Sequence, residues 1–186
     1  MNNLRIAIMR AETSLGAPEI DFSQKENSGY LWPDLYDLPE VNAFRWRDVN
    51  LRVKFGRVFD AVRMDSHMIV SERFKEILEK KSGDDCLFHR LCINDEPFYL
   101  LIVQRIVDCL DRSKSDLRWF AGNQRIRAAR NYAFHSKQLS AAIFRIPENR
   151  VPIFVAGEVA CEIKGSKIQG VTFLDAENPA PGEHLP

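Results

Sequence analysis

The densest run of reactive side chains in the chain is Asp108-Cys109-Leu110-Asp111-Arg112-Ser113-Lys114-Ser115. Two carboxylates three positions apart could hold a hard cation or work as an acid/base pair. The alternative is structural: Asp111 organises a turn by bonding the backbone, and Asp108 pairs with a nearby Arg. The structural reading is favoured. No third carboxylate lies within the run, and alternation along a strand would send Asp108 and Asp111 to opposite faces. His67, His89, His135 and His184 form no HxH, HExxH or HxxxH pattern, so no local zinc site is expected. A Cys92–His135 pair could be assembled in space, but a reactive thiol needs an activating, partly exposed setting, and the cysteines lie in apolar runs. GxGxxG, GxxxxGK[ST] and GxSxG are all absent. The expectation is therefore no catalytic residue, no metal and no cofactor.

The second conspicuous feature is basic. Arg112, Lys114, Arg118, Arg125, Arg127, Arg130 and Lys137 interleave with Trp119, Phe120, Tyr132 and Phe134. Cations among aromatics can grip single-stranded nucleic acid, and they also make protein–protein hot spots. A net charge of zero and a pI near 6.9 lack the electrostatic footprint of a nucleic-acid binder. Charge is nonetheless segregated. Residues 11–48 carry eight acids against three bases, and residues 105–150 carry ten bases against four acids. Either the chain presents an acidic and a basic surface that steer charged partners, or the two regions face each other in the fold.

The elements that must position these residues read as α+β, mostly antiparallel sheet with a few helices. Residues 4–9 alternate as a short strand, and 11–29 read as a polar loop. Phe44-Arg45-Trp46-Arg47 alternates like a strand with one apolar face. Ser71 is a natural N-cap and Glu72 suits a helix start. Phe74, Ile77 and Leu78 form one apolar stripe, Glu76 and Lys80 an i,i+4 pair on the other side, and Gly83 terminates the helix. Cys86–Ile93 and Phe98–Leu110, joined by Asn94-Asp95-Glu96-Pro97, predict a hairpin whose second strand is long and central. Asp111–Asp116 is a turn. Further strands are expected around Tyr132–Phe134, at Ala142–Ile146 and at Ile153–Val155, with Pro147-Glu148-Asn149-Arg150 turning between the last two. A helix over Glu158–Lys164 ends at Gly165, and Val171–Leu174 closes as a strand. Ile69-Val70-Ser71-Glu72 and Phe154-Val155-Ala156-Gly157-Glu158 both open helices, which is compatible with two weakly related strand-helix-strand units.

A chain of 186 residues is long enough to bury about 70% of its unfolded surface, so no staple is required. One globular domain over residues 1–175 and a mobile tail over 176–186 are expected. The first ten residues lack the features of a signal peptide, and the longest apolar run, Pro97–Val103, is far short of the roughly 20 residues of a spanning helix. Cys86, Cys92, Cys109 and Cys161 then read as free, buried thiols of a cytoplasmic protein.

Taken in order, Val70-Ser71-Glu72-Arg73-Phe74-Lys75-Glu76-Ile77-Leu78, Tyr99-Leu100-Leu101, Val107 through Ser115, Ile143-Phe144-Arg145-Ile146-Pro147-Glu148 and Gly170-Val171-Thr172-Phe173 resemble a bacterial family once catalogued only as a domain of unknown function. It is assigned to the immunity proteins of polymorphic toxin systems as their eleventh class. The resemblance covers roughly residues 30–175 and departs at Ala156-Gly157, where a Ser-type cap would be expected before the second helix. It implies a cytoplasmic protein that binds a toxin from neighbouring cells and blocks it, and it brings no catalytic residues. The contact residues expected are Arg118, Trp119, Arg125 and Arg127, with Asp34, Asp37 and Glu40 as the second choice. The alternatives are an enzyme centred on Asp108 and Asp111 or a cysteine, and a non-enzymatic adaptor. Homo-oligomerisation is left open.

Overall fold

Ser71 caps a helix as its side chain predicts. Its hydroxyl accepts the Phe74 amide at 3.2 Å and donates to Asp60 Oδ1 at 2.7 Å. The helix that follows, α1 (Glu72–Ser82), buries Phe74 and Leu78 and ends where Gly83 adopts a positive φ of 51°. The ion pairs within the helix are Lys75 with Glu79, at 2.9 Å, and with Glu72, at 3.6 Å, over the Tyr99 ring, rather than the expected Glu76–Lys80.

The computed structural model describes residues 6–12, 19–21, 50–55, 58–64, 67–122, 124–179 and 185. Within them lies a six-stranded sheet built from β2 (Glu19–Asp21), β3 (Asn50–Phe55), β4 (Ala61–Met64), β5 (His67–Ser71), β6 (Cys86–Ile93) and β7 (Glu96–Val103), in the order β2-β3-β6-β7-β5-β4. A four-stranded sheet joins β1 (Ile6–Ala11), β10 (Ile143–Ile146), β11 (Asn149–Ala156) and β12 (Val171–Asp175) in the order β10-β11-β1-β12. A separate hairpin pairs β8 (Asp116–Trp119) with β9 (Ile126–Asn131). The second helix, α2, is Gly157–Gly165. Pairing is antiparallel apart from β3 with β6 and one isolated bridge, so the α+β expectation holds. No helix among the described residues is long and apolar enough to cross a membrane.

The two expected strand-helix-strand units are present, and their topology is more closely matched than the sequence echo suggests. In the first, hairpin β4–β5 leads through α1 to β6, and β7 inserts antiparallel between β5 and β6. In the second, hairpin β10–β11 leads through α2 to β12, and β1 inserts antiparallel between β11 and β12. The spatial orders β4-β5-β7-β6 and β10-β11-β1-β12 therefore correspond, except that the inserted strand follows the first unit and comes from the chain's beginning in the second. The units are related by circular permutation. Both helices pack into one apolar cluster: Phe74 and Leu78 from α1 and Val159, Ala160 and Ile163 from α2 meet Met68, Val70, Leu101, Ile153 and Val155. Strand alternation sends Ile6, Ile8, Phe144 and Phe154 to the opposite face of the four-stranded sheet, into a second cluster. Ile69, Leu91, Leu100 and Ile102 pack on the far face of the six-stranded sheet in a third. Lys81 and Glu162 join the helices at 2.5 Å.

Several expectations are revised. β1 ends at Ala11, and Glu19–Asp21, inside the stretch read as loop, pairs with β3. The proposed strand at Phe44–Arg47 lies outside the described residues. The β6–β7 turn is tighter than expected: Asn94 and Asp95 both take positive φ, 50° and 68°, which makes the two-residue turn whose twist suits a hairpin. β7 stops at Val103 instead of continuing to Leu110. There the Asp85 carbonyl receives the amides of Gln104 and Arg105, and the chain crosses to the other sheet, where Arg105 and Val107 exchange backbone hydrogen bonds with Arg145. Asp108 and Asp111 are thus not on a strand. The strand expected around Tyr132–Phe134 ends at Asn131, with Phe134 only bridging Leu110. Ala176 and Leu185 are buried in the second cluster. Cys161 is exposed, on the side of α2 opposite Val159 and Ile163, so only part of the buried-thiol expectation holds.

All four cysteines are free. Burial pushes the Cys86 thiol up to about 12, and burial with the negative charges of Glu148 and Asp108 pushes Cys109 to about 12 as well. Burial likewise raises the Tyr132 phenol to about 12. At pH 8 a maleimide should therefore label Cys161 in the native protein and leave Cys86 and Cys109 unmodified, while urea should expose all four, as intact-mass spectrometry would read. The same groups contribute to the alkaline limb of stability. Their folded pKa values lie above the unfolded ones, so their contribution is complete below about pH 8.5 and is lost as pH rises toward 12.

Candidate partner-binding surface

Beyond β7, residues 104–115 cross one edge of the second cluster, and Val107, Cys109 and Leu110 anchor the crossing by burial. Asp111 then faces inward. Its Oδ1 accepts the Ser113 amide at 3.1 Å and the Ser113 hydroxyl at 2.6 Å, and its Oδ2 lies 3.3 Å from Lys114 Nζ and 3.7 Å from His135 Nδ1. The Asp111 carbonyl accepts the Ser115 hydroxyl at 2.7 Å, and that hydroxyl accepts the Ala133 amide at 2.8 Å. Hydrogen bonds from Ser113, with the charge of Lys114 and His135, hold the Asp111 carboxyl below its usual range. This is the turn-organising role the sequence favoured. Asp108 is exposed, whereas Asp111 is buried. Among the described residues, no three His, Cys, Asp or Glu side chains gather to hold a metal ion.

Arg112 is directed by a second inward acid. Glu148 is almost fully buried beside the turn, and its Oε1 accepts Arg112 Nε at 3.2 Å and Nη2 at 3.0 Å. The guanidinium lies 5.2 Å from the Trp119 ring, a cation–π distance. The Glu148 carbonyl accepts the Ile126 amide at 3.0 Å, so one residue ties down both the arginine and the hairpin.

The hairpin β8–β9 carries the expected contact residues. Ile126 and Ala129 are buried in the second cluster, Trp119 and Leu117 pack against it half-buried, and Arg118, Arg125 and Arg127 are exposed. Arg130 pairs with Asp116 at 3.6 Å. Arg118, Arg125 and Arg127 have no ion-pair partner among the described residues, and the face they present is basic. Trp119, one of the four, turns its ring inward beneath Arg112. The aromatic on offer is its neighbour Phe120, 55% exposed, whose amide closes the turn onto the Arg125 carbonyl at 3.0 Å. A groove of about 360 Å³ lies at the Asp111 turn, lined by Asp111, Lys114, Phe134, His135 and Lys137. Asp34, Asp37 and Glu40 lie outside the described residues.

The hairpin itself was not foreseen. Its signal was available: Gly122-Asn123 is turn composition between the two arginine-bearing stretches, and Gly122 takes a φ of 93°. Alternation from Leu117 would have sent Trp119 inward with it and left Phe120 outside.

Two features bear on what such a surface serves. It offers cations and an apolar side chain on a rigid support, and beneath it the Asp111 carboxylate and one oxygen of Glu148 are engaged in holding that support together. No curated protein matches the chain. The model of the immunity protein family Imm11 matches residues 3–178, nearly the whole length, and extends the resemblance seen in the ordered motifs. The chain belongs to the immunity protein family Imm11.

Proposed function

We propose that this protein neutralises a cognate bacterial toxin in the cytoplasm by binding it, without catalysis of its own, and that the contact surface is the outer face of β8–β9. The family supports an immunity role, and the observation that carries the surface is the set of exposed arginines, Arg118, Arg125 and Arg127, on a hairpin anchored from beneath by Ile126, Ala129 and Trp119. A pre-organised surface loses little entropy on binding, and uncompensated charge accelerates encounter with a complementary partner. The enzyme alternative finds no support in the Asp111 turn, where both carboxylate oxygens are engaged by residues of the turn and by His135.

The test is a pull-down of the tagged protein from its own host, with bound proteins identified by mass spectrometry. One stoichiometric partner is expected, lethal when expressed alone and harmless when co-expressed with this protein. A toxin that is expressed yet neither captured nor suppressed would overturn the proposal.

A further inference from the structure

The proposed function leaves the partner's chemistry open, and the hairpin narrows it. Among the described residues Phe120 is the most exposed of the large hydrophobics, at 55%, and it stands at the β8–β9 turn, two positions after Arg118 and joined by its amide to the Arg125 carbonyl. Arg118, Arg125 and Arg127 are exposed on the same hairpin, and none of them has an ion-pair partner among the described residues. An exposed ring with an arginine rim is the arrangement found at hot spots, where an aromatic fills a pocket and guanidinium forks engage carboxylates around it.

Nucleic acid is the other polyanion that could meet arginines, and two observations weigh against it. Base stacking needs open aromatic faces, but the Trp119 ring is half-buried and covered by Arg112 at 5.2 Å, leaving Phe120 alone on the hairpin. The basic face also belongs to a chain with 26 basic and 26 acidic residues, so no long-range positive field gathers phosphates. A folded protein offering a few carboxylates around an apolar recess matches the short reach and mixed character of the surface.

Resting on the immunity reading, we infer that Phe120 is the anchor of the interface and that the toxin face it enters is an apolar pocket rimmed by Asp and Glu side chains. Arginine–carboxylate attraction would set the association rate, and Phe120 burial the residence time.

The experiment measures binding of the partner captured above to three forms of this protein, the wild type, Phe120→Ser and the triple variant Arg118→Glu/Arg125→Glu/Arg127→Glu. Each site is exposed, so circular dichroism should confirm an unchanged fold. The triple variant should bind at least about 100-fold more weakly, mainly through slower association, and raising salt from 50 to 500 mM should weaken the wild type but not the triple variant. Phe120→Ser should speed dissociation about 10-fold or more with little change in association rate. Mutating Asp or Glu to Lys on the partner should restore binding to the triple variant. A captured toxin that binds all three forms equally would leave the immunity function standing and overturn this surface. Failure to capture any toxin would remove both. Tight binding of a fluorescein-labelled single-stranded 20-mer by the wild type at 150 mM salt, lost in the triple variant, would reassign the surface to nucleic acid.

Discussion

Gly170→Val should destabilise the protein by roughly 2–5 kcal/mol, measured as the shift in urea unfolding free energy. Gly170 has a φ of 79°, in the left-handed region, where an L side chain costs about 1–2 kcal/mol. It also has no room: a Cβ there would lie 2.4 Å from the Ala61 carbonyl oxygen and 2.5 Å from Phe59 Cβ. Backbone cannot yield as a flexible side chain does, and overpacking adds about 1–3 kcal/mol. The position matters because it is a seam between the two units. The Gly170 carbonyl accepts the Glu12 amide at 2.8 Å, the Gln169 carbonyl accepts the Ala61 amide at 3.1 Å, and Asp60 receives both the Gln169 amide and the Ser71 hydroxyl. The strain therefore reaches the cap of α1 as well as β12. Gly165→Ala is the control. Nothing lies within 4 Å of a Cβ at Gly165 and its φ is ordinary, so that change should be neutral or stabilise by up to about 1 kcal/mol. If Gly170→Val behaved like Gly165→Ala, the close seam would be wrong.

The same seam shows what could be read in the sequence. Nothing local in the sequence marks Gly170 as constrained, because its constraint comes from Phe59 and Ala61, more than a hundred residues earlier. Local signals did well where the physics is local. Ser71, Phe74, Leu78 and Gly83 define α1, and α2 covers the helix expected over Glu158–Lys164 and has no capping side chain at Ala156. They did less well where a strand's end depends on a distant partner. β7 was extended to Leu110 because Ile106 and Val107 have strand composition, yet what stops it is the Asp85 carbonyl and the pull of Arg145 across the gap between sheets. The candidate surface was half legible. Residue types name the arginines, while the inward turn of Trp119 follows from alternation with Leu117 and from its pairing with Ile126 once the hairpin is recognised.

Phe154→Ala should cost about 3–5 kcal/mol, and its consequence should be felt at the binding surface. Phe154 is fully buried on the inner side of β11, with its ring 5.1 Å from Tyr132, 5.3 Å from Phe134 and 5.6 Å from Phe144. These four rings, with Ile126 and Ala129, fill the second cluster on which β8–β9 lies. A two-stranded hairpin is marginal by itself, so its order depends on what it covers. Its further ties are few: the Ile126 amide to Glu148, the Tyr132 amide to Ala176 at 2.8 Å, and the bridge of Ala129 to Leu185. Removing the Phe154 ring opens a cavity beneath the hairpin, while the helix-bearing cluster on the other side of the sheet keeps Ile153 and Val155. Hydrogen exchange should therefore quicken most in the amides of β8–β9 and least in β5 and β7. Affinity for the captured toxin should fall although no contact residue has changed, through pre-organisation lost beneath Arg118, Phe120 and Arg125 rather than through charge. Salt dependence separates the two causes. The Phe154 variant should keep the wild-type salt slope at reduced affinity, whereas the arginine reversals should abolish it. Equal acceleration of exchange in β5–β7 and β8–β9 would mean that the molecule opens as one cooperative body, and the hairpin would then have no separate dependence on the cluster beneath it.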